Sequence, residues 1–295
     1  MDYFNGVNIE YSKEGISFEQ FLKMVDKAKK NSVKHPSKDK DIFTPMGIIV
    51  DFSGTMHQYH TMLMDILDAL SMGLQAVGRR KFYINLICIY KDKARLLFFG
   101  TQQKFRDYIN PQNNGVVYLP DDGWGRTPLV EAIELSDSVN EEIIKFCEAE
   151  DRKLCCTIPI LFTVTDSIET ENEEIKNISR RIYQEGLDKK RITFELAVKS
   201  LFDEAKTEGG LGLSDYNIEI GKANKDETDK VIKKIVKALQ TGSSSISKDA
   251  EGNQDSDIPD RSKYEEYREY QNDVLCANID FHWSRVMLGA VTEQE

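Results

Sequence analysis

The chain has 295 residues, 30% of them charged and 9% aromatic, and carries a formal net charge of −11. That length supports one sizeable α/β domain with extensions and a core that needs no disulfides. The negative balance argues against sequence-independent nucleic-acid binding, which rests on Lys and Arg meeting phosphates, and against an anionic membrane surface.

Residues 1–44 read as an N-terminal helical extension. Met1-Asp2-Tyr3-Phe4-Asn5-Gly6 starts acidic and polar, with no basic-apolar leader, and no apolar run is long enough to span a bilayer, so cytoplasmic residence is the expectation. Phe18, Phe21, Leu22, Val25 and Ala28 recur at helical spacing, and the Lys-rich stretch 29–40 reads as a linker. The main domain, 45–240, opens on Met46-Gly47-Ile48-Ile49-Val50, a short β-branched run that predicts a buried parallel strand. Asp51-Phe52-Ser53-Gly54-Thr55 then falls on the loop at its carboxyl end, where open α/β sheets bind ligands. One carboxylate and two hydroxyls suit a hard divalent cation if other segments complete the shell. A Ser/Thr-Gly loop after a strand also serves as plain turn and capping chemistry.

An amphipathic helix is predicted over 60–77, with Gly78 as its C-cap. His57 and His60 could share a face there, but no third nitrogen or sulfur ligand lies nearby, and they read as polar residues around the mouth of the site. Residues 82–90 and 94–99 form a predicted hairpin across the polar turn Lys91-Asp92-Lys93. Gly123-Trp124-Gly125-Arg126-Thr127-Pro128 puts a second hydroxyl, that of Thr127, on a loop at a helix start, with Pro128 as the first helical residue. Residues 157–164 read as another buried strand, ending at Thr165-Asp166-Ser167 with a second strand-end carboxylate. A helix follows over 171–186. The stretch 192–205 carries both an alternating and a helical pattern, and its length favours a helix. Tyr216-Asn217-Ile218-Glu219-Ile220 reads as the last core strand and 227–239 as the closing helix. Residues 241–262 look like a flexible, acidic, Ser-containing linker, and 263–295 like a tail that docks to a partner or packs back. Alternating strands and helices with one hairpin predict a doubly wound, mostly parallel sheet with one antiparallel edge strand and helices on both faces. The five cysteines lack Cys-x-x-Cys spacing and read as reduced core residues.

Taken together, the three loop motifs resemble those of a von Willebrand factor A (vWA) domain with a metal-ion-dependent adhesion site: Asp-x-Ser-x-Ser, a Thr in a Gly-rich loop before a helix, and an Asp after a later strand. The resemblance implies Asp51, Ser53, Thr55, Thr127 and Asp166 as ligands of Mg²⁺ or Mn²⁺. Thr55 stands where the family usually has a second Ser, Ser167 where it has Gly, and Arg126 is unusual in such a loop; none of these removes a ligand oxygen. Two carboxylates balance a divalent charge, and the open position that remains favours an anionic oxygen, in this family a Glu or Asp of a protein partner. Phe52, Met56, His57, Trp124 and Arg126 are the candidate partner contacts, with aromatics as anchors. Stand-alone vWA proteins of bacterial stress and defence pathways act beside kinases, phosphatases or AAA ATPases, and the resemblance extends that expectation here as fold-level analogy. Two alternatives compete. Asp51-Phe52-Ser53-Gly54-Thr55 also resembles the nucleophile loop of haloacid dehalogenase-like phosphatases, with Asp51 as nucleophile, but Ser53 replaces the second Asp and cannot shuttle the leaving-group proton. The other is a structural subunit with an empty site.

Overall fold

The computed structural model describes residues 3–4, 11–12, 14–34, 41–54, 56–75, 81–110, 127–149, 154–156, 160–165, 173–187, 191–198 and 216–220. Strand β1 (Asp41–Asp51) lies inside a seven-stranded sheet with β2 (Lys81–Tyr90), β3 (Lys93–Thr101), β4 (Leu154–Cys156), β5 (Ile160–Thr165), β6 (Ile192–Val198) and β7 (Tyr216–Ile220). The order is β3-β2-β1-β5-β6-β7, with β4 pairing β1 beside Asp41–Phe43 and β5 pairing it from Met46 onward. Counted as one interrupted strand, β4 and β5 complete the strand order of a doubly wound α/β sheet. Residues 157–159, between β4 and β5, lie outside the described ones. Every pairing is parallel except the edge pair β2–β3, as the sequence predicts.

The central strand is apolar on both faces because helices cover both. Met46, Ile48 and Val50 of β1 point into a cluster with Leu63, Ile66, Leu67 and Leu70 of α2 (His60–Gln75) and Phe105 and Ile109 of α3 (Gln102–Ile109). Phe43 and Ile49 point the other way. There they meet Phe21 and Val25 of α1 (Phe18–Lys34), Ile133 and Phe146 of α4 (Leu129–Ala149), and Ile178 and Ile182 of α5 (Glu173–Leu187). Period-two alternation along β1 thus assigns α2 and α3 to one layer and α1, α4 and α5 to the other.

Several elements depart from expectation. The stretch favoured as a helix from Phe194 is strand β6, parallel to β5 in the register Phe162↔Phe194 and to β7 in the register Phe194↔Tyr216. Ile192, Phe194, Leu196 and Val198 alternate, and a slot between two paired strands rewards that period over the helical one; residues 199–205 lie outside the described ones. Helix α1 runs on through Lys34 into the expected linker, because Ala28 and Ser32 remain buried one turn apart while Lys29 and Lys30 face outward. Strand β1 begins at Asp41, ahead of the predicted Met46. The turn between β2 and β3 is only Lys91-Asp92, both with positive φ (49° and 57°), the geometry of a two-residue hairpin that matches strand twist. The expected helix 227–239, the linker 241–262 and the tail 263–295 fall outside the described residues, among which no helix is long and apolar enough to cross a membrane.

Candidate metal centre

Strand β1 ends at Asp51, and the chain leaves the sheet there. The Phe52 N–H still donates to the Ile89 carbonyl at 2.9 Å, and the Met56 N–H donates to the Ser53 carbonyl at 3.0 Å, closing a turn ahead of the single 3₁₀ turn Met56–Tyr59. From β1 the chain moves outward to β2 and β3, then crosses back to β5, β6 and β7. The carboxyl ends of β1 and β5 therefore border the topological switch point, the crevice where such sheets bind ligands.

The Asp51 side chain is 0% exposed. A carboxylate taken out of water needs compensation. Its Oδ1 accepts the Ser53 N–H at 2.8 Å, its Oδ2 accepts the Thr165 hydroxyl at 2.7 Å, and the Thr127 hydroxyl approaches the same Oδ2 at 3.4 Å. These three donors are neutral. The Ser53 hydroxyl, in a residue 3% exposed, has no hydrogen-bond partner among the described residues. Leaving a sealed hydroxyl unpaired costs about 1–3 kcal/mol, an expense that a cation accepting its lone pair would offset. The donors are a carboxylate and hydroxyls, all hard oxygens, and so fit Mg²⁺ or Mn²⁺ better than a softer ion. Among the described residues no three His, Cys, Asp or Glu side chains cluster, and the oxygens they bring to this site are those of Asp51 and its neighbouring hydroxyls.

The structure thus brings Asp51, Ser53 and Thr127 together from a strand end and a helix start. Thr55, Trp124, Arg126 and Asp166 lie outside the described residues, as does the His57 side chain. Two expected partner contacts need correction: Phe52 and Met56 are 1% and 0% exposed and belong to the core under α2, so neither side chain reaches a partner. Phe52 takes the edge of the His60 ring at a centroid distance of 5.6 Å, which makes His60 a packing residue of this loop. Thr165 is the site residue that sequence reasoning missed. Its signal was its place directly before Asp166 at a strand end, one step beyond the Val50↔Val164 pair.

Cys88, on β2 beside Val50, is buried near the site. Burial pushes its thiol well above the ordinary value, with the Asp51 carboxylate adding to the effect and Arg95 opposing it. It stays a protonated thiol, a poor nucleophile and a poor ligand. Thr127 also forms one wall of a cleft of about 600 Å³ between the first turns of α4 and α5. Its hydroxyl therefore sits between a buried carboxylate and open surface.

No family profile matches this chain, and no curated protein does. Among solved structures it is similar to the PilB minor pilin from Streptococcus sanguinis (10% identity, TM-score 0.45, 70% of this chain and 63% of that one). It is also similar to the pilus adhesin SpaC from Lactobacillus rhamnosus GG (10% identity, TM-score 0.47, 69% and 31%). A third is a von Willebrand factor type A protein from Catenulispora acidiphila (10% identity, TM-score 0.38, 67% and 42%). The chain spans less than two thirds of each. The fold class rests on the strand order and the two helical layers described above.

Proposed function

We propose that this protein is a metal-dependent protein-binding module. In this reading Asp51, Ser53 and Thr127, completed by Thr55 and Asp166, hold Mg²⁺ or Mn²⁺ and receive a Glu or Asp side chain of a protein partner. The observation that supports it best is a fully buried carboxylate beside a buried hydroxyl that has no partner among the described residues, at the sheet's switch point. When bound, the cation supplies an electrophilic position for an anionic oxygen. The chain's own residues prepare it: the Ser53 N–H and the Thr165 hydroxyl each hold one oxygen of Asp51 and fix the carboxylate's rotation. Thr127, at the cleft wall, marks the side from which a partner enters. Recognition is favoured over turnover because a phosphoryl transfer to Asp51 would need a carboxyl group where Ser53 stands. As partner class we retain a kinase, phosphatase or AAA ATPase of a bacterial stress or defence assembly, on the sequence resemblance alone.

The test is capture of partners from a lysate of the source cells in magnesium. A protein retained in magnesium but released by a chelator, and absent from the Asp51→Ala bait, supports the proposal. Capture indifferent to both changes contradicts it. Hydrolysis of a phosphate ester, lost in Asp51→Asn, would favour the phosphatase alternative instead.

A further inference from the structure

A buried polar cluster lies within the mainly apolar layer between α4 and the sheet. Asn85 on β2 stands directly opposite Gly47 on β1. The Ser136 hydroxyl of α4 donates to Asn85 Oδ1 at 3.0 Å, and Asn85 Nδ2 donates to Asn140 Oδ1, one helical turn further on, at 2.9 Å. Ser136 and Asn85 are 0% exposed and Asn140 is 6% exposed. Gly47 is required by this approach: a Cβ there would collide with Ser136 Oγ and lie 3.2 Å from Ser136 Cβ and 3.3 Å from Asn85 Oδ1. Apolar contacts let a helix slide at modest cost, whereas paired buried hydrogen bonds hold one axial position, since any slip leaves polar groups unsatisfied.

We propose that Gly47, Asn85, Ser136 and Asn140 form a pin that sets the height of α4, and through it places the Thr127 hydroxyl at Asp51; this rests on the metal-centre reading. Two lengths support it. From Gly47 up β1 to Asp51 is four residues, about 13 Å at the rise of a strand. From Ser136 back up α4 to Pro128 is eight residues, about 12 Å at the rise of a helix. Pro128 and Thr127 are tied to that helix, since the Ala132 N–H donates to the Pro128 carbonyl at 3.1 Å and the Leu129 N–H to the Thr127 carbonyl at 2.7 Å. Both elements thus climb from the pin to the same level. A slip of one residue moves Thr127 by about 1.5 Å, enough to break a contact that already spans 3.4 Å.

The experiment is a double-mutant cycle on Mn²⁺ affinity, read by calorimetry at a temperature where circular dichroism shows every variant folded. Gly47→Ala pushes α4 away, and we expect a loss of about tenfold, comparable to that of Thr127→Ala; the double variant should bind no more weakly than Thr127→Ala alone. Additive losses would show that the pin acts on general stability and would overturn the proposal. A second arm needs no metal. The Thr127 methyl resonance of the metal-free protein should shift in Gly47→Ala and move back toward its original position when Ser136→Ala removes the colliding hydroxyl. An unmoved methyl resonance refutes the pin whatever the metal does. Absence of Mn²⁺ binding in the unaltered protein, with the methyl moving as expected, refutes the metal centre and leaves the pin as a helix-positioning device.

Discussion

Asp51 is held on both oxygens, and Thr165 makes the shorter of the two hydroxyl contacts. A group that orients a ligand carboxylate from behind is worth about 10–100-fold in metal affinity. Thr165→Val keeps the shape and removes the hydroxyl, so Mn²⁺ affinity should fall by that range while the fold persists; calorimetry beside a thermal melt checks both. Cys88 supplies a test that involves no metal. Its thiol is raised above the ordinary 9.0, so the unfolded chain loses that proton first. The stability this contributes is complete below about pH 8.5 and is lost as pH climbs toward the folded-state value. The urea midpoint of the unaltered protein should therefore drop more steeply from about pH 8 to 10 than that of Cys88→Ala, and parallel slopes would contradict the assignment. Asp51, Ser53 and Thr127 were legible in the sequence because each sits at a strand end or helix start with ligand chemistry. Thr165 was not, since its role depends on the β1–β5 register, a long-range fact.

At the scale of elements, apolar runs announced β1, β2 and β5, helical spacing announced α1, α2 and α4, and composition announced α5. Helix α3 went unread because it has only eight residues, although Phe105, Tyr108 and Ile109 carry a helical spacing and are buried. Strand β6 was misread because its alternation is nested in a longer helix-like pattern, and only its neighbours β5 and β7 decide between them. The start of α1 shows local and tertiary signals agreeing. The Ser17 N–H donates to Gln20 Oε1 at 2.8 Å and the Gln20 N–H to Ser17 Oγ at 3.2 Å, a reciprocal cap, while Ile16 and Phe21 pack in one cluster on either side of it. Ser17→Ala should cost about 1 kcal/mol in chemical denaturation. No change would mean the cap forms equally well with water.

For the whole molecule, the N-terminal stretch is more than an appendage. Tyr3 and Phe4 are 2% and 1% exposed, and Phe4 meets Tyr83, Phe99 and Phe146 edge-on. Their carbonyls accept from Asn31 Nδ2 at 3.0 Å and Lys104 Nζ at 3.2 Å. Nothing in the local sequence predicts this, because two aromatics in a polar stretch carry no period. Phe4→Ala should destabilise by about 3–5 kcal/mol, read as a shifted urea midpoint. The same layer carries α4, so one core supports both the fold and the approach of Thr127 to Asp51. The claim at the centre of this account is that the Asp51 site binds a hard divalent cation, and a calorimetric titration with Mg²⁺ and Mn²⁺ tests it most directly. The account predicts saturable binding at one site that Asp51→Ala abolishes without unfolding the protein; heats identical for the two proteins, or no binding by either, would contradict it.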